Sequence, residues 1–169
     1  MADYHSPTII QPSIPNADIT PLERLILTNI FDFEPDGDAL YLFTELRPSD
    51  IFELPAEEFR TAFAASADQP SRVSDYLQHT LANLNAAAEF VEIDISGMSW
   101  NFILQDIVRR SRALGYLYVL TAFTCTKMRP DGFGGMVVFV TAENVEGKST
   151  FEILDEFILK WQQDGASGV

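Results

Sequence analysis

Tyr116-Leu117-Tyr118-Val119-Leu120-Thr121-Ala122-Phe123-Thr124-Cys125-Thr126 is followed, after a loop through Lys127–Gly134, by Gly135-Met136-Val137-Val138-Phe139-Val140-Thr141. Both runs are rich in β-branched and aromatic residues, which fit a pleated surface better than a helix. Neither alternates apolar with polar, so apolar side chains point to both faces, as in strands covered on two sides. The pair predicts the covered centre of a sheet, and the glycine-rich loop between them predicts a hairpin.

Upstream, Ser99 opens a helix whose Trp100, Ile103, Leu104, Ile107 and Val108 form one stripe. Asp106, Arg109, Arg110 and Arg112 fall on its other side, and Gly115 ends it. Glu89–Ile95 alternates charged with apolar and reads as a half-buried strand whose Glu89, Glu92 and Asp94 are solvated. Ser71 caps a helix from Arg72 to Leu84, and Phe59 and Phe63 mark another that begins near Pro55. The first helix carries the clearest start: Thr20 as N-cap, Pro21 at the first helical position, and Glu23 completing a capping box. Asp36-Gly37 turns into a strand over Ala39–Glu45, and Thr150–Gln163 reads as a last helix.

The order α-β-α-α-β-α-β-β-α predicts the α+β class, a small, largely antiparallel sheet of about four strands with about five helices packed on it. Pro7, Pro12 and Pro15 make residues 1–18 an extended N-terminal arm. Residues 19–163 form a single α+β domain, and 164–169 a flexible tail.

A chain of 169 residues that is 47% hydrophobic can bury a core of its own. No apolar run approaches the roughly 20 residues needed to cross a bilayer, so no membrane association is expected. Met1–His5 lacks the basic and apolar regions of a secretion signal. The lone Cys125 excludes an internal disulfide and multi-cysteine zinc patterns. The expectation is a cytoplasmic protein.

The formal charge of −14 is the compositional outlier. Residues 1–60 hold 12 acidic against 3 basic side chains, whereas residues 101–130 hold Asp106 against Arg109, Arg110, Arg112, Lys127 and Arg129. Such a field repels phosphate backbones, which argues against direct nucleic-acid binding, and attracts a basic protein partner.

Three motifs fail on their chemistry. Ala142–Ser149 fits a permissive phosphate-loop pattern, yet Glu143 and Glu146 would oppose the phosphates, and Ser149 with Glu152 makes an ordinary capping box. Asp32, Glu34, Asp36 and Asp38 begin like a calcium loop, but Phe43 stands where the bidentate glutamate belongs. Cys125 sits in an apolar strand, and the histidines, His5 and His79, show no spacing that would activate it. No catalytic residues, metal ligands or cofactor are assigned, and the balance is against an enzyme.

The best candidate site is the loop Lys127–Gly135. Lys127 and Arg129 are basic in an acidic chain, Phe133 lies between glycines, and the glycines permit close backbone approach. With Arg109, Arg110 and Arg112, if they lie nearby, the loop would bind an anionic ligand or an acidic partner.

Ile103-Leu104-Gln105-Asp106-Ile107-Val108-Arg109-Arg110 and Lys127–Met136 resemble a group of uncharacterised small acidic bacterial proteins frequent on plasmids and other mobile elements. The resemblance implies an accessory role and no particular fold or activity. Three expectations follow: a non-catalytic acidic interaction protein binding a basic partner, a small anionic-ligand binder or enzyme using the 127–135 loop, or a homodimeric accessory protein.

Overall fold

The capping signals act where the sequence places them. In the computed structural model, which describes residues 2–127 and 129–166, the Thr20 hydroxyl accepts from the Glu23 amide at 3.2 Å. Glu23 in turn accepts from the Thr20 amide at 3.0 Å. Helix α1 (Pro21–Ile30) follows, then α2 (Ala56–Ala65) and α3 (Arg72–Asn83), the last capped by Ser71 with Ser74. Helix α4 (Asn101–Arg110) stops earlier than Gly115, because the Ser111 hydroxyl accepts from the Ala113 and Leu114 amides at 3.0 and 2.8 Å and turns the chain. Helix α5 (Thr150–Ala166) starts at a Ser149–Glu152 capping box. The expected tail therefore begins as helix, and residues 167–169 lie outside the described residues.

Among the described residues, nine strands accompany these helices: β1 (Tyr4–His5), β2 (Thr8–Pro15), β3 (Asp32–Asp36), β4 (Ala39–Thr44), β5 (Ile51–Pro55), β6 (Phe90–Asp94), β7 (Tyr116–Cys125), β8 (Gly134–Thr141) and β9 (Val145–Ser149). The main sheet runs β3-β4-β2-β7-β8-β9 with β1 also paired to β7, and β5 and β6 form a separate two-stranded ribbon. Every ladder is antiparallel. The class is α+β with five helices, as expected, but the main sheet has seven strands rather than about four.

The missed strands lack a strand's own signature. β2 contains Pro12, which has no amide hydrogen to donate, and its register against β4 shifts between Ile10 and Ile14. β3 (DFEPD) is exposed throughout, and β9 is Val-Glu-Gly-Lys-Ser. Within residues 1–18, read from the sequence as an N-terminal arm, β2 is an inner strand: Ile10 pairs with Leu42 on one side and Val119 on the other.

All four of the first helices and the β5–β6 ribbon lie on one side of this sheet. Ile10, Ile14, Leu40, Leu42, Leu117, Val119, Val138 and Val140 join Leu22, Ile26, Leu77, Val91, Ile93, Ile103 and Ile107 in a single core. Polar anchors fix the helices to one another. Asp106 on α4 accepts from the Arg72 backbone amide at 2.8 Å and pairs with its guanidinium, joining α4 to the start of α3. Arg110, near the end of α4, pairs with the buried Glu23 of α1.

The other side of the sheet corrects the sequence reading. Leu117, Val119, Val138 and Val140 are buried, whereas Tyr116, Leu120, Val137 and Phe139, which alternate with them, are exposed. Strands β7 and β8 are apolar on both faces, but their own chain buries only one; on the other, the start of α5 reaches Leu120 and Val137 and leaves them exposed.

Candidate functional site

The six residues singled out from the sequence form two separate groups. Lys127 and Arg129 are exposed beyond the end of β7, and Phe133 is exposed beside them. Arg109 donates to the Ala142 carbonyl at 2.6 Å, which places it at the opposite end of the β7–β8 hairpin, where Tyr116 pairs with Thr141. Ten residues of β7 separate the groups, a span of about 33 Å at roughly 3.3 Å per residue. Arg109 also approaches Asp106 at 3.6 Å, Arg110 is held by Glu23 and the Asp18 carbonyl, and Arg112 is exposed. The loop and the helix cations do not converge.

The loop glycines have packing reasons. A Cβ on Gly132 would lie 2.3 Å from Cβ of Cys125 and 3.1 Å from the Tyr4 ring, so the loop folds down onto β1 and the buried thiol. The Tyr4 hydroxyl donates to Asp131 at 3.3 Å over the same spot. Gly134, at φ +155°, sits against Thr150 and Phe151 at the start of α5.

The remaining motifs are equally structural. Lys148 of the phosphate-loop look-alike lies in edge strand β9 and pairs with Glu156 at 2.7 Å. Asp36 accepts from the Ser13 hydroxyl at 2.7 Å beside the β3–β4 turn. His79 bonds Asn83 on its own helix. Among the described residues, no group of three His, Cys, Asp or Glu is placed to hold a metal, and no helix is long and apolar enough to cross a membrane.

Two surfaces stand out instead. The first is the outer side of the β5–β6 ribbon. Phe52, Leu54, Val91 and Ile93 point to the core, so Ile51, Glu53, Phe90, Glu92 and Asp94 point outward. The ladder places Glu53 directly opposite Glu92, a like-charge pair that destabilises a sheet. Asp94 stands opposite Ile51, and the Ser96 hydroxyl and amide, the latter at 2.8 Å, hold its carboxyl below the ordinary aspartate value. Phe90 and Ile51, 61% and 54% exposed, flank the carboxylates.

The second surface is the uncovered face of the main sheet. Ile9, Phe43, Tyr41, Tyr118, Leu120, Val137 and Phe139 share it, as their ladder pairings require. Tyr41 stacks on Phe43 with ring centroids 5.3 Å apart, and Tyr116 lies 5.2 Å from Phe139. Shallow hollows of about 390 and 220 Å³ run along β8, the first lined by Val137, Phe139 and Lys148, the second by Leu120, Val137 and Ile153 of α5.

No family model, curated protein or solved structure matches this chain.

Proposed function

We propose that the protein is a non-catalytic interaction module whose acidic surface binds a basic protein partner. The observation that carries this reading is the Glu53–Glu92 pair, set across from each other on an exposed ladder with Asp94 alongside. Like charges held in register cost stability, and a site that sacrifices stability is characteristic of function. A partner presenting lysines or arginines would relieve that repulsion, and Phe90 and Ile51 would add apolar contact at its margins.

Four of the chain's eleven cations support the same direction. Arg72, Arg109, Arg110 and Lys148 are engaged with Asp106, Glu23 and Glu156, so they do not neutralise the ribbon. The reading of the 127–135 loop as an anionic-ligand site has less support, since its helical arginines lie a strand's length away.

The test compares the native chain with Glu53→Gln/Glu92→Gln in affinity capture from source-cell lysate at low and high salt. The expected result is a basic protein held by the native chain at low salt and lost from the variant, while the variant melts at higher temperature. Capture of the same basic protein by both chains would reject the ribbon as its site. Absence of any basic partner at low salt would reject the function.

A further inference from the structure

The apolar stripe of helix α5 and much of the outer sheet face are left exposed by their own chain, although the start of α5 touches the sheet at β8 and β9. We infer that they are partners of each other between two copies: α5 of one copy lies across the outer sheet face of the second, and reciprocally.

Leu154, Phe157, Ile158 and Trp161 follow the i, i+3, i+4, i+7 spacing of a single helical stripe. They are 50%, 65%, 43% and 74% exposed. The start of α5 touches its own sheet, through Ile153 in the hollow with Leu120 and Val137 and through Glu156 on Lys148. Most helical stability in proteins comes from packing an apolar face rather than from propensity, so the stripe calls for a cover.

The sheet face answers in chemistry, length and charge. Its outward residues on the inner strands are Tyr41 and Phe43 on β4, Ile9 and Gln11 on β2, Tyr118 and Leu120 on β7, and Phe139 on β8, none of them charged. The carboxylates whose register puts them on this side, Asp32 and Glu34 on β3 and Glu146 on β9, stand on the two edge strands. In a chain of net charge −14, an uncharged centre is where a second equally acidic copy can approach. The 17 residues of α5 extend about 25 Å, and the strands from β8 to β3 span about 19 Å at their usual spacing. The helix is therefore long enough to cross them all.

Area is sufficient as well. Aromatic side chains bury about 150–250 Å² each, so Phe157 and Trp161 with their aliphatic neighbours present several hundred Å² from the helix. The sheet face adds a comparable area. In a two-fold dimer each copy contributes both surfaces, which brings the total to the roughly 800 Å² per partner that a stable interface requires. The inference is independent of the basic-partner reading, which uses the opposite side of the molecule.

The test uses the full chain, with sedimentation velocity and light scattering across a concentration series. The native chain is expected to run at twice its monomer mass. A helix variant, Phe157→Glu/Trp161→Glu, and a sheet variant, Ile9→Lys/Phe139→Lys, are each expected to run as monomers with native circular dichroism. Mixing the two should restore a dimer. One intact helix then meets one intact sheet, and the altered pair meets with opposite charge. Alanine at the same positions serves where a charged variant misfolds, and the mixture again regains one native contact. A native chain that stays monomeric at every concentration overturns the inference. So does a dimer that survives either variant, the result expected of helix-on-helix or sheet-on-sheet pairing, or a mixture of two monomeric variants that stays monomeric.

Discussion

Glu23 is fully buried, and burial raises its carboxyl above the ordinary glutamate value even though the Thr20 amide and the Arg110 guanidinium pull the other way. Between the unfolded value and the raised folded one, the folded chain holds a proton that the unfolded chain has released. The site's contribution to stability is therefore complete below the unfolded value and is lost as pH rises through the folded one. At neutral pH the charge is tolerated because Arg110 faces it. Arg110→Ala should cost about 3–5 kcal/mol at neutral pH, the usual result of orphaning a buried charge. The loss should shrink in mildly acidic buffer, where Glu23 is free to protonate. Urea denaturation at the two pH values measures the difference, and an equal loss at both would show that the charge is not what Arg110 compensates. Gly132 makes a second residue-scale case. A methyl group there would lie only 2.3 Å from Cβ of Cys125, so Gly132→Ala should overpack the site at a cost of about 1–3 kcal/mol. It should also speed reaction of the otherwise buried thiol with a thiol reagent. Unchanged melting temperature and labelling rate would mean that the loop moves aside freely.

Among the elements, β2 bears the most. It is hydrogen-bonded on both sides, with Ile10 and Ile14 in the core, so it is no detachable arm. Deleting residues 1–15 should abolish cooperative thermal unfolding and yield an aggregated or unfolded chain, measurable by circular dichroism and light scattering. A truncated chain that melts cooperatively would show that β4 and β7 can close without it. The same strand explains what the sequence did and did not disclose. Caps such as Thr20 with Glu23 and Ser71 act within four residues, so α1 and α3 were legible from their own neighbourhoods. β2, β3 and β9 exist because distant strands offer them a ladder, and prolines, acids and glycine hide them locally. The acidic ribbon was half legible: Glu92 and Asp94 stood out as an alternating face. The opposition of Glu92 to Glu53 depended on a strand, Ile51–Pro55, that the sequence did not announce. Lys127, Arg129 and the α4 arginines stood out by charge, but sequence contrast carries no information about the length of β7 between them.

At the scale of the whole molecule, the two proposed surfaces should respond to salt with opposite sign. Each copy carries −14, so bringing two together opposes a long-range repulsion that the uncharged helix-on-sheet contact does nothing to offset. Added salt shortens the screening length from about 10 Å at 0.1 M to about 3 Å at 1 M and also favours apolar burial when the anion is sulfate. Self-association should therefore tighten as salt rises, most of all in ammonium sulfate. Attachment of a basic protein to Glu53, Glu92 and Asp94 is attraction between unlike charges and should weaken over the same range. Sedimentation of the chain alone and capture of its basic partner, each repeated along one salt series, read the two trends independently. If self-association also weakened with salt, cross-copy ion pairs rather than the apolar stripe of α5 would hold the dimer. The carboxylates of α5, Glu152 and Asp155, would then have to find cations on the second copy, and Lys127 and Arg129, exposed at the end of β7, would be the first to substitute.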